Sequence, residues 1–584
     1  MSPRPTPWPQ FHGELLPNIV FRLAAQHPSL TYAKFPRDPG DMSRGFRTFT
    51  YAELARAVSA FAWWIDENVG KLEEGQKNGS ETLVYMGPND IRYAVFCLGS
   101  VVAGYKMLFP SPRYGAEALV KLLETVGATA LLTSESPYPV QAEILERKSL
   151  QTHSVPSVEE LFSRDEVERY PFSKTFAEHK HEPLICLHTS GTTGFPKPIL
   201  WTHEWASSLS GTVRLPPPAG FKSTDWLLRG KNGQGNANVL VVYPPYHASG
   251  ITSMLFLALF LGIIPIYPTM GSTPEEVVDR VIAALDYLAS ERKLQRNGRS
   301  NGENATDDEE KVVDMINMVP PHIEVLAKYP ARLEQIARRT TGVRYGGGAI
   351  SRATGDKVVQ KVALICGLGS TEQGFWPCVR RVDDDLKDDG IWEYSMPHPA
   401  LNMRLDPVSK DAAGQLVCDA VLVRNDGKAW DGYVQPLFRL FPADVREKNM
   451  GDLFVQHPKY PNMWKHHGRA DDLLVFVTNE KFFPTAAEHR LRSHPGIAEA
   501  LIVGTRRPKA SLLVRLEPGV GLDDVWGGIE EVNADSPVYA RVERGMVVVV
   551  NKPFLKTPKG SVRRTEMVKK YTKELDALYG ESEK

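Results

Sequence analysis

Short runs of β-branched and aliphatic residues alternate along the chain with longer stretches whose apolar positions recur at helical spacing. That alternation predicts an α/β architecture. Two segments share one grammar. Phe96-Cys97-Leu98-Gly99-Ser100-Val101-Val102-Ala103-Gly104 reads as an apolar helix stopped by glycine, and the strand Lys106-Met107-Leu108-Phe109-Pro110 follows. Leu255-Phe256-Leu257-Ala258-Leu259-Phe260-Leu261-Gly262 leads in the same way into Ile263-Ile264-Pro265-Ile266-Tyr267. A glycine just past a helix supplies the left-handed backbone that ends it, and proline closes each strand. The pair hints at two similar subdomains. The most apolar stretch, 251–267, is near the lower limit for a bilayer span and is interrupted by Gly262 and Pro265. It reads as a buried helix ending at Gly262 and a short strand. The stretch 291–311 is polar and glycine-punctuated, and reads as a solvated surface loop.

The pattern changes near residue 470. A strand pattern (LLVFV) is followed by a helix (PTAAEHRLRSH), two strands (ALIVG and SLLVRL), a helical stretch near 523–533 and a last strand, MVVVV. The expectation is a large N-terminal domain of α/β subdomains over 1–470 and a small mobile α+β domain over 471–584. A length of 584 residues supports this division, because one hydrophobic core rarely serves so long a chain.

Composition narrows the function. Apolar residues at 42% and charged residues at 24% are ordinary globular values, which argues against a disordered chain. A net charge of -1 argues against a general nucleic-acid binder, whose basic face normally shows in the totals. The five cysteines have no CxxC or metal-ligand spacing and read as reduced, mostly buried thiols. The first residues, MSPRPTPWPQF, lack an apolar signal core. A cytoplasmic protein without a membrane span is expected.

The segment richest in chemistry is Leu184-Ile185-Cys186-Leu187-His188-Thr189-Ser190-Gly191-Thr192-Thr193-Gly194-Phe195-Pro196-Lys197. An apolar strand runs into a loop of glycines, hydroxyl residues and a lysine. Glycines let backbone amides approach phosphate oxygens closely, and hydroxyls and ammonium add donors. The pattern is not a Walker loop, since GxxxxGK[ST] is absent. From the residues alone, an ordinary Ser/Thr/Gly loop stands beside the phosphate-binding reading.

Thr-Ser-Gly-Thr-Thr-Gly-x-Pro-Lys resembles the signature loop of the adenylate-forming superfamily: acyl-CoA synthetases, luciferases and peptide-synthetase adenylation domains. Further elements resemble that family's in the expected order. They are Phe49-Thr50-Tyr51-Ala52-Glu53-Leu54, Gly346-Gly347-Gly348-Ala349, Gly369-Ser370-Thr371-Glu372, Gly451-Asp452-Leu453, Gly468-Arg469-Ala470-Asp471-Asp472 and His494-Pro495-Gly496-Ile497-Ala498-Glu499-Ala500. The resemblance implies the adenylate-forming fold, with ATP and Mg2+ as cofactors. It implies that Thr189, Ser190, Gly191, Thr192, Thr193, Gly194 and Lys197 close over the pyrophosphate end of ATP. Thr371 would contact the α-phosphate and Glu372 would ligate magnesium, which typically takes one or two carboxylates besides phosphates. Gly347, Gly348 and Ala349 would lie near adenine, Asp452 would accept bonds from the ribose hydroxyls with Arg469 assisting, and Asp471 would be the hinge. Leu368 stands where the family often has a tyrosine stacked on adenine, so less aromatic contact is expected there.

Forming an acyl-adenylate brings two anions together, and a cation between them lowers the barrier most. The family supplies a lysine from a pattern near the end of its small domain. Here Pro553-Phe554-Leu555-Lys556-Thr557-Pro558-Lys559-Gly560-Ser561-Val562-Arg563-Arg564 resembles it with a shifted lysine. The role falls to Lys559, with Lys556 in reserve. Val242-Tyr243-Pro244-Pro245-Tyr246-His247-Ala248-Ser249-Gly250 falls where the family places the acid-pocket entrance. Amino-acid activators have an aspartate at about the position of His247, so an α-amino acid is disfavoured. Gly250, Gly348, Gly367 and Leu368 suggest room for a flat ring: an aromatic acid such as a benzoate or cinnamate, with a medium-chain aliphatic acid as the alternative.

Lys197-Pro198-Ile199, Thr557-Pro558-Lys559-Gly560 and Trp392-Glu393-Tyr394 look like the adenylation domains of fungal carboxylic acid reductases and peptide-synthetase-like enzymes. Those enzymes continue into a carrier domain and a NADPH-dependent reductase domain. No GG[DH]S carrier motif and no GxxGxxG fingerprint appears in the sequence. The expected reading is an adenylation region of a longer enzyme or a free-standing homologue. Its acyl acceptor would be the phosphopantetheine thiol of a carrier domain, in cis or in trans. A stand-alone aryl- or acyl-CoA ligase is the competing enzyme reading, and a nucleotide-binding module without chemistry is the non-enzymatic one.

Overall fold

The computed structural model describes residues 13–38, 40–163, 166–190, 195–230, 236–268, 270–297, 310–388, 390–410, 414–478, 480–556 and 562–581. Two large sheets dominate the first two-thirds of the chain. One has six strands in the order Gln151–Ser154, Ala128–Thr133, Thr82–Met86, Lys106–Leu108, Pro183–Ser190 and Pro196–Thr202. All neighbours are parallel except the closing hairpin of the last two. The other has seven, in the order Ala363–Gly367, Thr340–Gly346, Val313–Met318, Asn238–Val241, Ile264–Ile266, Thr31–Pro36 and Phe46–Thr50, again parallel except for the last pair. Central strands such as Thr82–Met86 are buried on both faces, which is why they read as continuous apolar runs rather than alternating ones.

The repeated grammar is realised in both sheets. Helix Arg92–Ala103 stops at Gly104 (φ 95°) before strand Lys106–Leu108, and helix Leu257–Leu261 stops at Gly262 (φ 67°) before strand Ile264–Ile266. The second apolar segment carries a π-helical turn, Thr252–Phe256, within it. One apolar cluster joins the sheets. It takes Leu83 and Met107 from the first and Val239 and Met315 from the second, with Phe61, Phe96, Leu255 and Phe256 from the helices between. Thr50 starts helix Tyr51–Asn68 with a reciprocal capping box to Glu53, which accounts locally for the Thr-Tyr-Ala-Glu-Leu element.

The polar stretch 291–311 departs from expectation at its start. Helix Pro274–Asn297 runs on into it. Val278, Val281, Leu285 and Leu288 anchor that helix in the core, and the strong helix formers Glu291, Arg292, Lys293 and Leu294 let it continue. Beyond residue 400, strands Met403–Lys410, Leu416–Val423, Glu447–Gln456 and Trp464–Arg469 form an antiparallel sheet. Strands Ile497–Val503, Ser511–Leu516 and Val547–Val549 form a smaller one, covered by helices Thr485–Arg492 and Leu522–Ala534. Two apolar clusters there draw only on residues from Leu474 onward. The whole is mixed α/β with an α+β C-terminal part. Among the described residues, no helix is long and apolar enough to cross a membrane.

Candidate active site

Thr189 and Ser190 end strand Pro183–Ser190, which folds back on Pro196–Thr202 with Thr189 opposite Lys197 and Ser190 opposite Pro196. The two ends of the segment are therefore arms of an antiparallel pair at the edge of the six-stranded sheet. Gly191, Thr192, Thr193 and Gly194, and the Ser190 side chain, lie outside the described residues. Thr189 is half-buried and Lys197 exposed. The base of the hairpin is fixed by His188, whose Nε2 accepts the Ser111 backbone N–H at 3.0 Å while the Tyr114 ring meets it edge-on. Burial pushes the His188 pKa down to about 4, so the imidazole is neutral, and the bond to Nε2 places its proton on Nδ1.

The second arm of the hairpin reaches the Thr371–Glu372 element through two tryptophans. Trp201 Nε1–H donates to the Thr371 carbonyl at 2.8 Å, and Trp205 Nε1–H donates to the Glu372 carbonyl at 2.9 Å. Their rings stack with centroids 3.7 Å apart. Thr202 caps the helix carrying Trp205 by accepting the Trp205 backbone N–H, so both indoles hang from one strand-to-helix corner. Both carbonyls are thus occupied, and the Glu372 side chain remains half-buried. Among the described residues, no group of three or more His, Cys, Asp or Glu side chains is placed to hold a metal. A single carboxylate suits an ion that takes its other ligands from phosphates, so Glu372 fits Mg2+ delivered with a nucleotide.

Strands Thr340–Gly346 and Ala363–Gly367 end side by side, Gly346 paired with Gly367. Gly347 has φ 88° and turns the chain away, leaving Gly347, Gly348 and Ala349 exposed at the carboxyl end of the sheet, where open α/β sheets bind ligands. A Cβ on Gly367 would lie 2.5 Å from Arg344 Nε, so that glycine makes room for an arginine of the protein itself. Leu368 packs on the cluster of Trp376 and Phe454, and Phe454 belongs to the strand carrying Asp452. The elements matched to adenine and ribose therefore share one apolar support.

Asp452 pairs with Arg469 across strands Glu447–Gln456 and Trp464–Arg469. Its Oδ1 lies 3.1 Å from both Arg469 Nη1 and His466 Nε2. Arg469 Nη1 also donates to the Met450 carbonyl at 2.8 Å, over the bulge in strand Glu447–Gln456 where Gly451 takes φ 64°. Burial alone would raise the Asp452 pKa, but His466 and Arg469 outweigh it and hold the carboxyl below its usual range. His466 was not readable from the sequence. It reaches Asp452 because the register shifts between Leu453 and Phe454.

His247 precedes the short helix Ala248–Ile251, half-buried, with its ring 5.0 Å from Tyr246. Gly250 is explained by packing, because a Cβ there would lie 1.8 Å from the Pro244 carbonyl oxygen. Lys559 lies outside the described residues. Lys556, the reserve, is 2.6 Å from Glu499 in an ion pair, and Glu499 also accepts the Phe554 N–H and pairs with Arg515. Asp471 lies in the short turn Ala470–Asp472, its side chain outside the described residues. The site thus brings Thr189, Lys197, Thr371 and Glu372 onto one hairpin-and-turn unit, and Leu368, Asp452 and Arg469 onto another.

Family models match in two places: the AMP-binding enzyme model over residues 21–286 and the AMP-binding enzyme C-terminal domain model over 471–583. A carboxylic acid reductase of Neurospora crassa is 29% identical over 99% of this chain and 51% of its own length. An isocyanide synthase-NRPS hybrid, crmA, of Aspergillus fumigatus is 27% identical over 97% of this chain and 33% of its own. The chain therefore spans about half or less of the length of these curated relatives. Among solved structures, a benzoate CoA ligase from Burkholderia xenovorans superposes with a TM-score of 0.64 at 18% identity, covering 95% of this chain and 99% of that one, a likeness of fold. With the two family models in chain order and relatives aligned along nearly all of it, the chain belongs to the adenylate-forming, AMP-binding enzyme family.

Proposed function

We propose that this chain activates a carboxylic acid with ATP and passes the acyl group to a thiol, as the adenylation region of a carboxylic acid reductase-type enzyme. The observation that carries the reading is the Trp201–Trp205 tie, which holds the hydroxyl-rich hairpin against Thr371 and Glu372 as one unit. In the first step a carboxylate oxygen attacks the α-phosphorus, the bond to the pyrophosphate oxygen breaks, and acyl-AMP forms. The hairpin from Thr189 to Lys197 would bind the departing pyrophosphate, Thr371 the α-phosphate, and Asp452 with Arg469 the ribose. Glu372 would hold Mg2+, which supplies charge neutralisation to the phosphates when bound. Lys559, in the proposed small domain 471–584, would sit between the two anions. In the second step a thiol attacks the acyl carbon, AMP leaves, and the thiol proton passes to solvent. A carrier domain's phosphopantetheine is the proposed thiol. The relatives that support it are multidomain by their length, and any NADPH chemistry would belong to a separate reductase domain.

An aromatic acid is the proposed substrate class, and acid-dependent ATP–pyrophosphate exchange over benzoic, cinnamic, fatty and amino acids tests it. Exchange with at least one carboxylic acid is expected, and exchange with none refutes acid activation. Lys559→Ala should lower exchange by about 10²–10³-fold with ATP binding retained, the effect of losing one preorganised charge. Lys556→Ala should keep most activity, because that ammonium is spent on Glu499. The reverse pattern would reassign the catalytic lysine. A stand-alone CoA ligase is a second reading, favoured by the near-complete coverage of the benzoate CoA ligase. AMP release on adding free coenzyme A would select it.

A further inference from the structure

The seven-stranded sheet carries polar side chains where its neighbours are apolar. Asn317 and Arg344 are register partners on adjacent parallel strands, so they point to the same face. Met315 and Ile365 mark that face by joining one apolar cluster, whereas Ile316, Val343 and Tyr345 join the cluster on the other. Further toward the carboxyl end of the sheet come Gly346 and Gly367, which present no side chain. Asn317 thus lies beneath the glycine-lined end of the sheet.

Asn317 is 1% exposed, and neither its Oδ1 nor its Nδ2 meets a hydrogen-bond partner among the described residues. A carboxamide buried in this way is costly, and native proteins satisfy such groups. Arg344 beside it is already engaged. Its Nη2 lies 3.3 Å from Asp225 Oδ1, and its guanidinium stacks over the Phe375 ring at 4.7 Å. The pair is neutral overall and leaves no excess positive charge for a second carboxylate. A carboxamide offers one donor pair and one acceptor, which matches a neutral hydroxyl that both donates and accepts.

We propose that Asn317 is a specificity-determining residue that binds a hydroxyl group on the acid, remote from the carboxylate being activated, while the Arg344–Asp225 pair rejects an anionic group at that position. The inference rests on the acid-activation reading above. Its test uses acids paired by one hydroxyl: benzoate with 4-hydroxybenzoate, cinnamate with 4-hydroxycinnamate, hexanoate with 6-hydroxyhexanoate. ATP–pyrophosphate exchange is measured on the full chain and on Asn317→Leu, which keeps the number and branching of the side chain's heavy atoms. The full chain should favour the hydroxylated member of at least one pair by roughly tenfold or more, as sites built around a hydrogen bond do. Asn317→Leu should cancel or reverse that preference through KM and retain exchange with the unsubstituted acid. Without acid, its thermal midpoint should be no lower than that of the full chain, because an unpaired amide is replaced by an apolar group; a purely structural asparagine would give a clear drop. Equal use of both members of every pair, or a preference that survives in Asn317→Leu, overturns the proposal. Exchange with no acid at all would instead sink the activation reading, and this inference with it.

Discussion

At Asp452 a single carboxylate gathers a strand partner, a bulge-positioned histidine and a depressed pKa in one place. Because His466 and Arg469 hold it ionised, it is an acceptor only, suited to the two hydroxyls of a ribose. Asp452→Asn keeps the shape and loses the charge. A hydrogen bond to a charged group contributes about 1.5–3 kcal/mol, so KM for ATP should rise about 10–100-fold, measured by pyrophosphate exchange at saturating acid. An unchanged KM would remove Asp452 from the nucleotide site. Glu499 teaches the opposite lesson. It belongs to a motif that helped mark the family, yet it is buried and holds Lys556, Arg515 and the Phe554 amide together. Its part is to support the lysine-bearing segment from below.

At the scale of elements, the hairpin Pro183–Ser190 and Pro196–Thr202 was legible as a strand and a loop. Its return strand was not, because Pro196, Lys197 and Pro198 hide the β pattern. The two indole bonds were equally invisible, since Trp201 and Thr371 are 170 residues apart. Trp205→Phe keeps an aromatic ring to stack on Trp201 and deletes the donor to Glu372. Losing about 1 kcal/mol of neutral hydrogen bonding should lower exchange roughly fivefold, with little change in the melting temperature. Should kcat and KM for Mg-ATP both stay at wild-type values, the tie is not what positions Glu372. The C-terminal elements were read almost in full. Helix Thr485–Arg492, strands Ile497–Val503 and Ser511–Leu516 and helix Leu522–Ala534 fall where the apolar periodicity put them, because each packs locally on its neighbour.

For the whole molecule, burial sets the response to acid. His188, His203 and His322 have their pKa pushed down by burial to about 4, 3 and 4, and positive neighbours add to the effect at His203 and His322. Unfolded, each would titrate near 6.5, so below that pH the unfolded chain binds more protons than the native one. Their contribution is complete above about pH 6.5 and is lost as pH falls toward 4, at about 1.4 kcal/mol per histidine per pH unit. The urea midpoint should therefore fall between pH 7.5 and 5. A midpoint that stayed level or rose across that interval would contradict neutral, buried imidazoles.

Local patterns in the chain determined the α/β class, the glycine-stopped helices, the α+β C-terminal part and the order of the motifs that resemble the family's. Each of these depends on residues close together in sequence, where periodicity, capping and glycine's conformational freedom act directly. Only tertiary structure decided that Trp201 of the hairpin and Trp205 of the next helix grip Thr371 and Glu372, that a shifted register brings His466 to Asp452, that Lys556 is committed to Glu499, and that Asn317, beside Arg344, has no hydrogen-bond partner among the described residues. These contacts join strands far apart in the chain. Sheet pairing, bulges and burial choose the partners there, and no local pattern carries that information.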